Sequence, residues 1–347
     1  MAGIISPGQW RVAATGCTSG SMHTVLIASL LLACTRTDTS TSDSGLMRSP
    51  GADETVHAFD AEHVYFGDQD RRTVEVEVTF PDATNTYSAI QGRMALTCPD
   101  DDCDHWDRYA TWGVVLDKGG ESETYVEIDR FITPYRVGFD WEADLTELRP
   151  LLTGTVTMRV FIDTWVGPGH DQGSGWLFDA QLDFVGGEPP AQEVTAVVPV
   201  WGHRSFHYGV DDNPVTDQIL PVDVPVTPAS RVTLRSFITG HGFGGNENCA
   251  EFCSKSHSYT LGDGSWDRDV WRDDCSETVT DGTQQGTWRY DRAGWCPGAQ
   301  VFPWDMDATA SWTGDDVTVG YDVEDYTWNG NEGQPYYYMS GVLLVSE

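Results

Sequence analysis

Val74-Glu75-Val76-Glu77-Val78-Thr79-Phe80 alternates strictly between apolar and polar side chains. Successive side chains of an extended chain point to opposite faces. The run therefore places Val74, Val76, Val78 and Phe80 on one face and Glu75, Glu77 and Thr79 on the other. Such a segment predicts a strand with one face on a core and the other in water. Working outward, the pattern recurs less cleanly in Val156–Trp165, then in Val232–Arg235, Val317–Tyr321 and Tyr336–Val345. No long amphipathic helical pattern interrupts these runs, and 36 Gly and 17 Pro punctuate the intervals. The chain reads as all-β, of sandwich type. A length of 347 residues favours about two domains. Gly186-Gly187-Glu188-Pro189-Pro190 is the best internal boundary, since strand-like sequence resumes at Val194. The expected domains are residues 57–187 and 188–347.

Charge excludes some partners. The formal net charge is -34, so nothing would neutralise the phosphates of a nucleic acid, and an anionic membrane surface would repel the chain. The 14 Trp suit contact with carbohydrate, although most of those rings must be core or sheet surface.

The N-terminal residues read as targeting sequence. Val25–Ala33 is an apolar run too short to span a bilayer. It ends in Leu31-Leu32-Ala33-Cys34, which resembles a bacterial lipobox, in which the Cys becomes the lipid-bearing first residue. Met22 is a candidate true start, and an ordinary secretory signal is the alternative. Residues 1–34 are thus expected to be a lipoprotein-type signal. Residues 35–56, rich in Thr, Ser, Asp and Gly, are expected to form a flexible tether. The expected location is the cell envelope, lipid-anchored in the outer membrane or periplasm, or else free secretion.

Apart from Cys17 and Cys34, six cysteines remain. Export makes disulfides the default, and six cysteines allow about fifteen pairings. The spacings Cys98/Cys103 and Cys249/Cys253 favour two short bridges, leaving Cys275 and Cys296. A zinc site is the weaker alternative, because two-residue cysteine spacings are absent.

The chemistry concentrates in Cys98-Pro99-Asp100-Asp101-Asp102-Cys103-Asp104-His105-Trp106-Asp107-Arg108-Tyr109-Ala110. Trp106 can stack on the apolar face of a pyranose, a neighbouring carboxylate can take a proton from water, and Arg108 can hold developing negative charge. For any single acid here a solvated loop is the blander explanation, because the chain carries 54 Asp and Glu. His203, His207, His241 and His257 form no dense His-x-His motif and suggest no metal site. Asp315-Asp316 and Asp211-Asp212-Asn213 lack EF-hand spacing and suit turns. There is no Gly-x-Ser-x-Gly elbow, phosphate-cradling glycine loop or Asn-x-Ser/Thr acceptor.

From about Phe59 to the C-terminus the chain resembles the peptide-N-glycosidase F family. The matching blocks are Phe66-Gly67-Asp68, Cys103–Ala110, Arg130-Phe131-Ile132-Thr133-Pro134-Tyr135 and Ala196-Val197-Val198-Pro199-Val200. The C-terminal half adds Cys249-Ala250-Glu251-Phe252-Cys253 and Asp291-Arg292-Ala293-Gly294-Trp295-Cys296-Pro297-Gly298. The resemblance implies two eight-stranded antiparallel jelly rolls packed side by side, with the active site in the cleft between them. The implied reaction is metal-independent and needs no cofactor. It hydrolyses the amide between the first GlcNAc of an N-glycan and Asn, leaving Asp. The implied essential acids are Asp107 and Glu251, with Asp163 as a supporting acid. Arg108 and Arg292 would line the site, with Trp165 and Trp295 as aromatic walls. Trp106, Tyr135 and His241 complete the expected substrate contacts. The implied bridges are Cys98–Cys103, Cys249–Cys253 and Cys275–Cys296.

Four departures from the family pattern surround this pocket. Asp163 stands where the family has Glu, and His241-Gly242-Phe243 stands for Trp-Gly-His. Phe252 and Arg136 each replace a Trp. They bear on specificity more than on chemistry. The substrates expected are N-glycoproteins or glycopeptides, the membrane is met only through a lipid anchor, and a monomer is expected. A glycan-binding lipoprotein with lost catalysis is the competing expectation.

Overall fold

The computed structural model describes residues 47–278, 284–331 and 333–347. The signal segment, most of the expected tether and Cys34 lie outside the described residues.

Among the described residues, sixteen strands of four residues or more form four sheets. The first eight, from Glu54–Phe66 to Trp176–Gly186, make two sheets that enclose one core. The last eight, from Val194–His207 to Tyr336–Ser346, make the other two sheets around a second core. Pairing among these strands is antiparallel throughout. The fold is the expected pair of jelly-roll sandwiches.

The opening heptapeptide lies in the strand Thr73–Phe80, with Val74, Val78 and Phe80 buried and Glu75, Glu77 and Thr79 exposed or part-exposed. Its partner is Gly154–Ile162, with Thr73 opposite Phe161. The N-terminal core is built on Trp112, Trp176, Phe59, Phe131 and Phe178, all essentially inaccessible to solvent. The C-terminal core centres on Phe206, Tyr259, Leu234 and Tyr337. Each large aromatic removed from water in this way stabilises the fold by roughly 1.5–3 kcal/mol.

Order begins earlier than expected. Ser49–Pro50 pairs in parallel with Asn85–Thr86, and Glu54 already opens a long strand. The C-terminal part of the 35–56 segment is therefore sheet rather than tether.

Strand pairing, buried hydrogen bonds and ring stacking join the halves. The short strand Ala299–Val301 crosses over to pair with Arg130–Ile132 at the edge of the N-terminal five-stranded sheet. Beside it, the fully buried Arg130 donates to Glu127 at 2.7 and 2.8 Å, to Thr239 Oγ1 at 3.1 Å and to the Tyr338 carbonyl at 2.8 Å. A buried ion pair is tolerated only when its remaining donors are satisfied, and here the C-terminal strands satisfy them. Tyr109 stacks on Tyr338 across the same seam, with ring centroids 4.1 Å apart.

Candidate functional site

Among the described residues three disulfides are formed, Cys98–Cys103, Cys249–Cys253 and Cys275–Cys296. The first two staple the loops that carry Asp107 and Glu251. Asp104 anchors the Asp107 loop further, because its buried carboxylate accepts from Arg108 Nε at 2.7 Å, the Trp106 amide at 3.0 Å and Thr164 Oγ1 at 2.6 Å. Thr133 holds the same loop from the other side. Its hydroxyl accepts from the Arg108 amide at 2.9 Å, and its amide donates to the Arg108 carbonyl at 2.9 Å.

On the C-terminal sandwich, the Glu251 amide donates to the Gly242 carbonyl and its own carbonyl accepts from Ala293, at 3.0 and 2.9 Å. Gly242 sits at φ +79°, where a Cβ would come within 2.4 Å of the Gln334 carbonyl oxygen, so glycine is required at this turn.

These supports bring Asp107, Asp163, Glu251, Trp106, Arg108, Tyr135, His241 and Trp295 around one cavity of about 350 Å³, which Thr287 and Tyr336 also line. A larger crevice of about 690 Å³, walled by Tyr125, Arg159, His203 and Arg204, holds none of the expected catalytic residues.

Arg292 is the electrostatic centre. Its guanidinium is fully buried, with Nε 3.2 Å from Glu251 Oε1 and Nη2 3.8 Å from Asp107 Oδ2. The Thr287 carbonyl and hydroxyl hold its other nitrogens at 3.1 and 2.8 Å, and Trp295 and Phe252 lie beside it, 4.7 and 5.0 Å from ring centre to cation. One cation thus bridges an acid from each sandwich. Burial pushes Glu251 up to about 7 against the pull of Arg292, and the charge on Asp107 pushes it in the same direction. Burial also raises Asp107, opposed by Arg292, by the Tyr135 hydroxyl and by Arg108.

Asp163 faces the pocket from just past the end of the strand Gly154–Ile162. Burial raises its pKa, and Arg72 is the main opposing influence. Arg72 Nη1 lies 3.4 Å from Asp163, while its Nε and Nη2 are held by Asp70 at 2.9 and 2.6 Å. The same guanidinium lies 4.3 Å from the Trp165 ring centre. Trp106 and Trp165 are each half exposed.

His241 is buried, hydrogen-bonded to Thr239 Oγ1 at 2.9 Å, and stacked between Trp295 and Tyr336 with centroids 5.3 and 5.5 Å away. Burial, then the charges of Arg130 and Arg292, push it down to about 3, so it is a neutral wall. His203 is held low by burial, and His257 accepts or donates at 2.6 Å to Tyr321 inside the second core.

One expectation shifts. Arg108 lines the pocket, but two of its nitrogens are committed to Asp104, so Arg292 rather than Arg108 is the cation placed between the acids. Sequence reasoning missed Asp104, Arg72, Thr287 and Tyr336. Of these only Asp104 had a signal, its place inside the Cys98–Ala110 stretch.

Family models described as peptide-N-glycosidase F, N terminal and C terminal, match residues 113–173 and 213–344. These spans contain Asp163, Glu251, Arg292 and Trp295, whereas Asp107 lies just before the first. Peptide-N(4)-(N-acetyl-beta-D-glucosaminyl)asparagine amidase F from Elizabethkingia miricola is 31% identical over 310 residues, covering 85% of this chain and 84% of its own. A solved structure of PNGase F, described as a glycosylasparaginase from Flavobacterium meningosepticum, matches with a TM-score of 0.71 and 27% identity, covering 86% of this chain and 96% of its own. PNGF-II matches with a TM-score of 0.66 at 18% identity, a likeness of fold, and the match covers 84% of this chain and 65% of that one.

Proposed function

The chain belongs to the peptide-N-glycosidase F family, and on that premise we propose that it hydrolyses the GlcNAc–Asn amide of N-glycoproteins or glycopeptides with Asp107 as base and Glu251 as acid. The observation that carries these roles is the buried guanidinium of Arg292 bridging one carboxyl group from each sandwich.

The two acids differ in a way the reaction can use. With Asp107 ionised, its charge helps keep Glu251 protonated near neutrality. Asp107 takes a proton from water as the water oxygen bonds to the amide carbon. Arg292 stabilises the negative charge that develops on the carbonyl oxygen, in a site where burial strengthens the interaction. Glu251 then protonates the nitrogen as the carbon–nitrogen bond breaks. The products are an Asp-containing peptide and a glycosylamine. Proton transfer from Asp107 to Glu251 restores the starting state. Asp163, Trp106, Trp165, Tyr135, His241 and Trp295 hold the sugar in this proposal, and the stapled loops supply the fixed orientation that metal-free amide hydrolysis needs.

The three disulfides fit an extracellular protein. We further propose anchoring through lipid on Cys34, a division into domains near residues 187/188, and a monomeric enzyme, since one chain supplies every group of the site. Incubating the purified protein with a denatured N-glycoprotein tests the activity. Released glycan with Asn converted to Asp is expected, and an unchanged glycoprotein removes the proposal.

A further inference from the structure

We propose that Phe243, Phe252 and Tyr290 form the subsite for the peptide flanking the glycosylated Asn, and that this subsite favours apolar over acidic neighbours. The inference rests on the amidase reading of the pocket and names a feature of its substrate.

The described residues leave eight large hydrophobic side chains exposed, and two of them, Trp106 and Phe243, line this pocket, while Trp165 lies on Arg72, the partner of Asp163, and Tyr290 packs on Phe252 beside Glu251. They divide by sandwich and by chemistry. The N-terminal wall presents Trp106 and Trp165 among hydrogen-bonding groups, namely Asp163, Arg72 and Arg108. Rings interleaved with carboxylate and guanidinium suit a sugar, which has an apolar face and a belt of hydroxyls. On the C-terminal wall the rings touch one another. Phe243 packs edge-on against Phe252 at 5.3 Å, and Phe252 packs edge-on against Tyr290 at 6.4 Å. This makes an aromatic ledge with Phe243 55% and Tyr290 61% exposed.

The ledge is fixed at the reacting centre. Phe252 directly follows Glu251 and lies against the Arg292 cation. The Phe243 backbone packs against Gly333 (φ +71°) so closely that any Cβ on Gly333 would strike the Phe243 carbonyl. A substrate amide between Asp107 and Glu251 has two ends. With its sugar on the polar wall, its peptide crosses Phe243, Phe252 and Tyr290. Preformed rings gain by covering apolar side chains, and the net charge of -34 opposes Asp or Glu there.

The test uses glycopeptides with one common glycan and Leu or Phe, Gly, or Asp on either side of the modified Asn. For the wild-type enzyme the apolar-flanked peptide should show a KM roughly 3- to 10-fold below the Gly-flanked one, with kcat little changed. Phe243→Ser and Tyr290→Ser should erase that preference, and Phe243→Leu, which keeps an apolar group, should retain most of it. The same peptides titrated calorimetrically into Asp107→Asn read flank preference in the absence of turnover. Equal affinity for all flanks, or a preference that survives both Ser variants, overturns the ledge. So does a Phe243→Ser variant whose altered discrimination follows glycan length instead of flanking residue. Failure of the wild type to hydrolyse any glycopeptide removes the amidase reading instead, and the calorimetry still decides the ledge.

Discussion

Glu251→Gln should abolish turnover and yet stabilise the protein at alkaline pH. Burial moves Glu251 from an ordinary 4.5 to about 7 in the folded protein. Between those two values the folded state keeps a proton that the unfolded chain has released. The stability tied to this group is therefore full below pH 4.5 and is lost as pH rises to about 7. At about 1.4 kcal/mol per pH unit the full loss is on the order of 3 kcal/mol, with the opposing pull of Arg292 already included. Gln has nearly the same shape, cannot ionise, and its amide oxygen can still accept from Arg292 Nε. Asp107 remains as the partner for the buried cation, 3.8 Å away. Asp129, pushed to about 7 by burial and held by Trp141 and Gln300, is present in both proteins and cancels in the comparison. Urea unfolding of wild type and variant at pH 5 and pH 8 measures the effect. The variant should gain about 2–3 kcal/mol more at pH 8 than at pH 5, with a rise in Tm at pH 8 of roughly 5 °C or more. A difference that does not change with pH would show that Glu251 titrates normally, and its assignment as the proton donor would fail.

Asp107→Asn should lower kcat by at least about a hundredfold while folding and disulfides are retained, and near wild-type turnover by such a variant would remove Asp107 as base. Asp163→Glu advances the carboxylate by roughly an ångström toward the sugar, a displacement that can alter rates on the order of a hundredfold. The rate on a simple unfucosylated glycopeptide should rise, and a fall on every core tested would mean that the pocket is built around the Asp163–Arg72 pair. Mass spectrometry of the mature protein from a bacterial host should find lipid on Cys34, whereas an unmodified N-terminus beyond Cys34 would mean free secretion.

The fold was legible wherever the strand period was clean. Val74–Phe80 announces its own buried face, and Tyr336–Val345 does so by sheer apolar density, because both signals are local. The family resemblance singled out Asp107 and Glu251, and the fold brings both to one pocket, the first just after the Cys98–Cys103 bridge and the second inside the Cys249–Cys253 bridge. Arg72 was not. It meets Asp163 because Thr73 pairs with Phe161 across the sheet, which carries the Arg72 carbonyl to the Ile162 amide at 3.0 Å. Register is a property of two strands, and neither strand alone encodes it. The importance of Arg292 over Arg108 was hidden for a similar reason. Arg108 directly follows Asp107 whereas Arg292 lies far from Glu251 in sequence, and only the fold shows that Asp104 occupies the first guanidinium and that the second bridges the acids.

The central claim is that water, activated between the two sandwiches, attacks the amide carbon of glycosylated Asn. Hydrolysis of one defined N-glycopeptide in water labelled with heavy oxygen tests it most directly. A single labelled oxygen is expected in the newly formed Asp carboxyl group, with release of the intact glycan as its glycosylamine. Release of glycan with GlcNAc still attached to an unlabelled Asn would place the cleavage at a glycosidic bond and contradict the account.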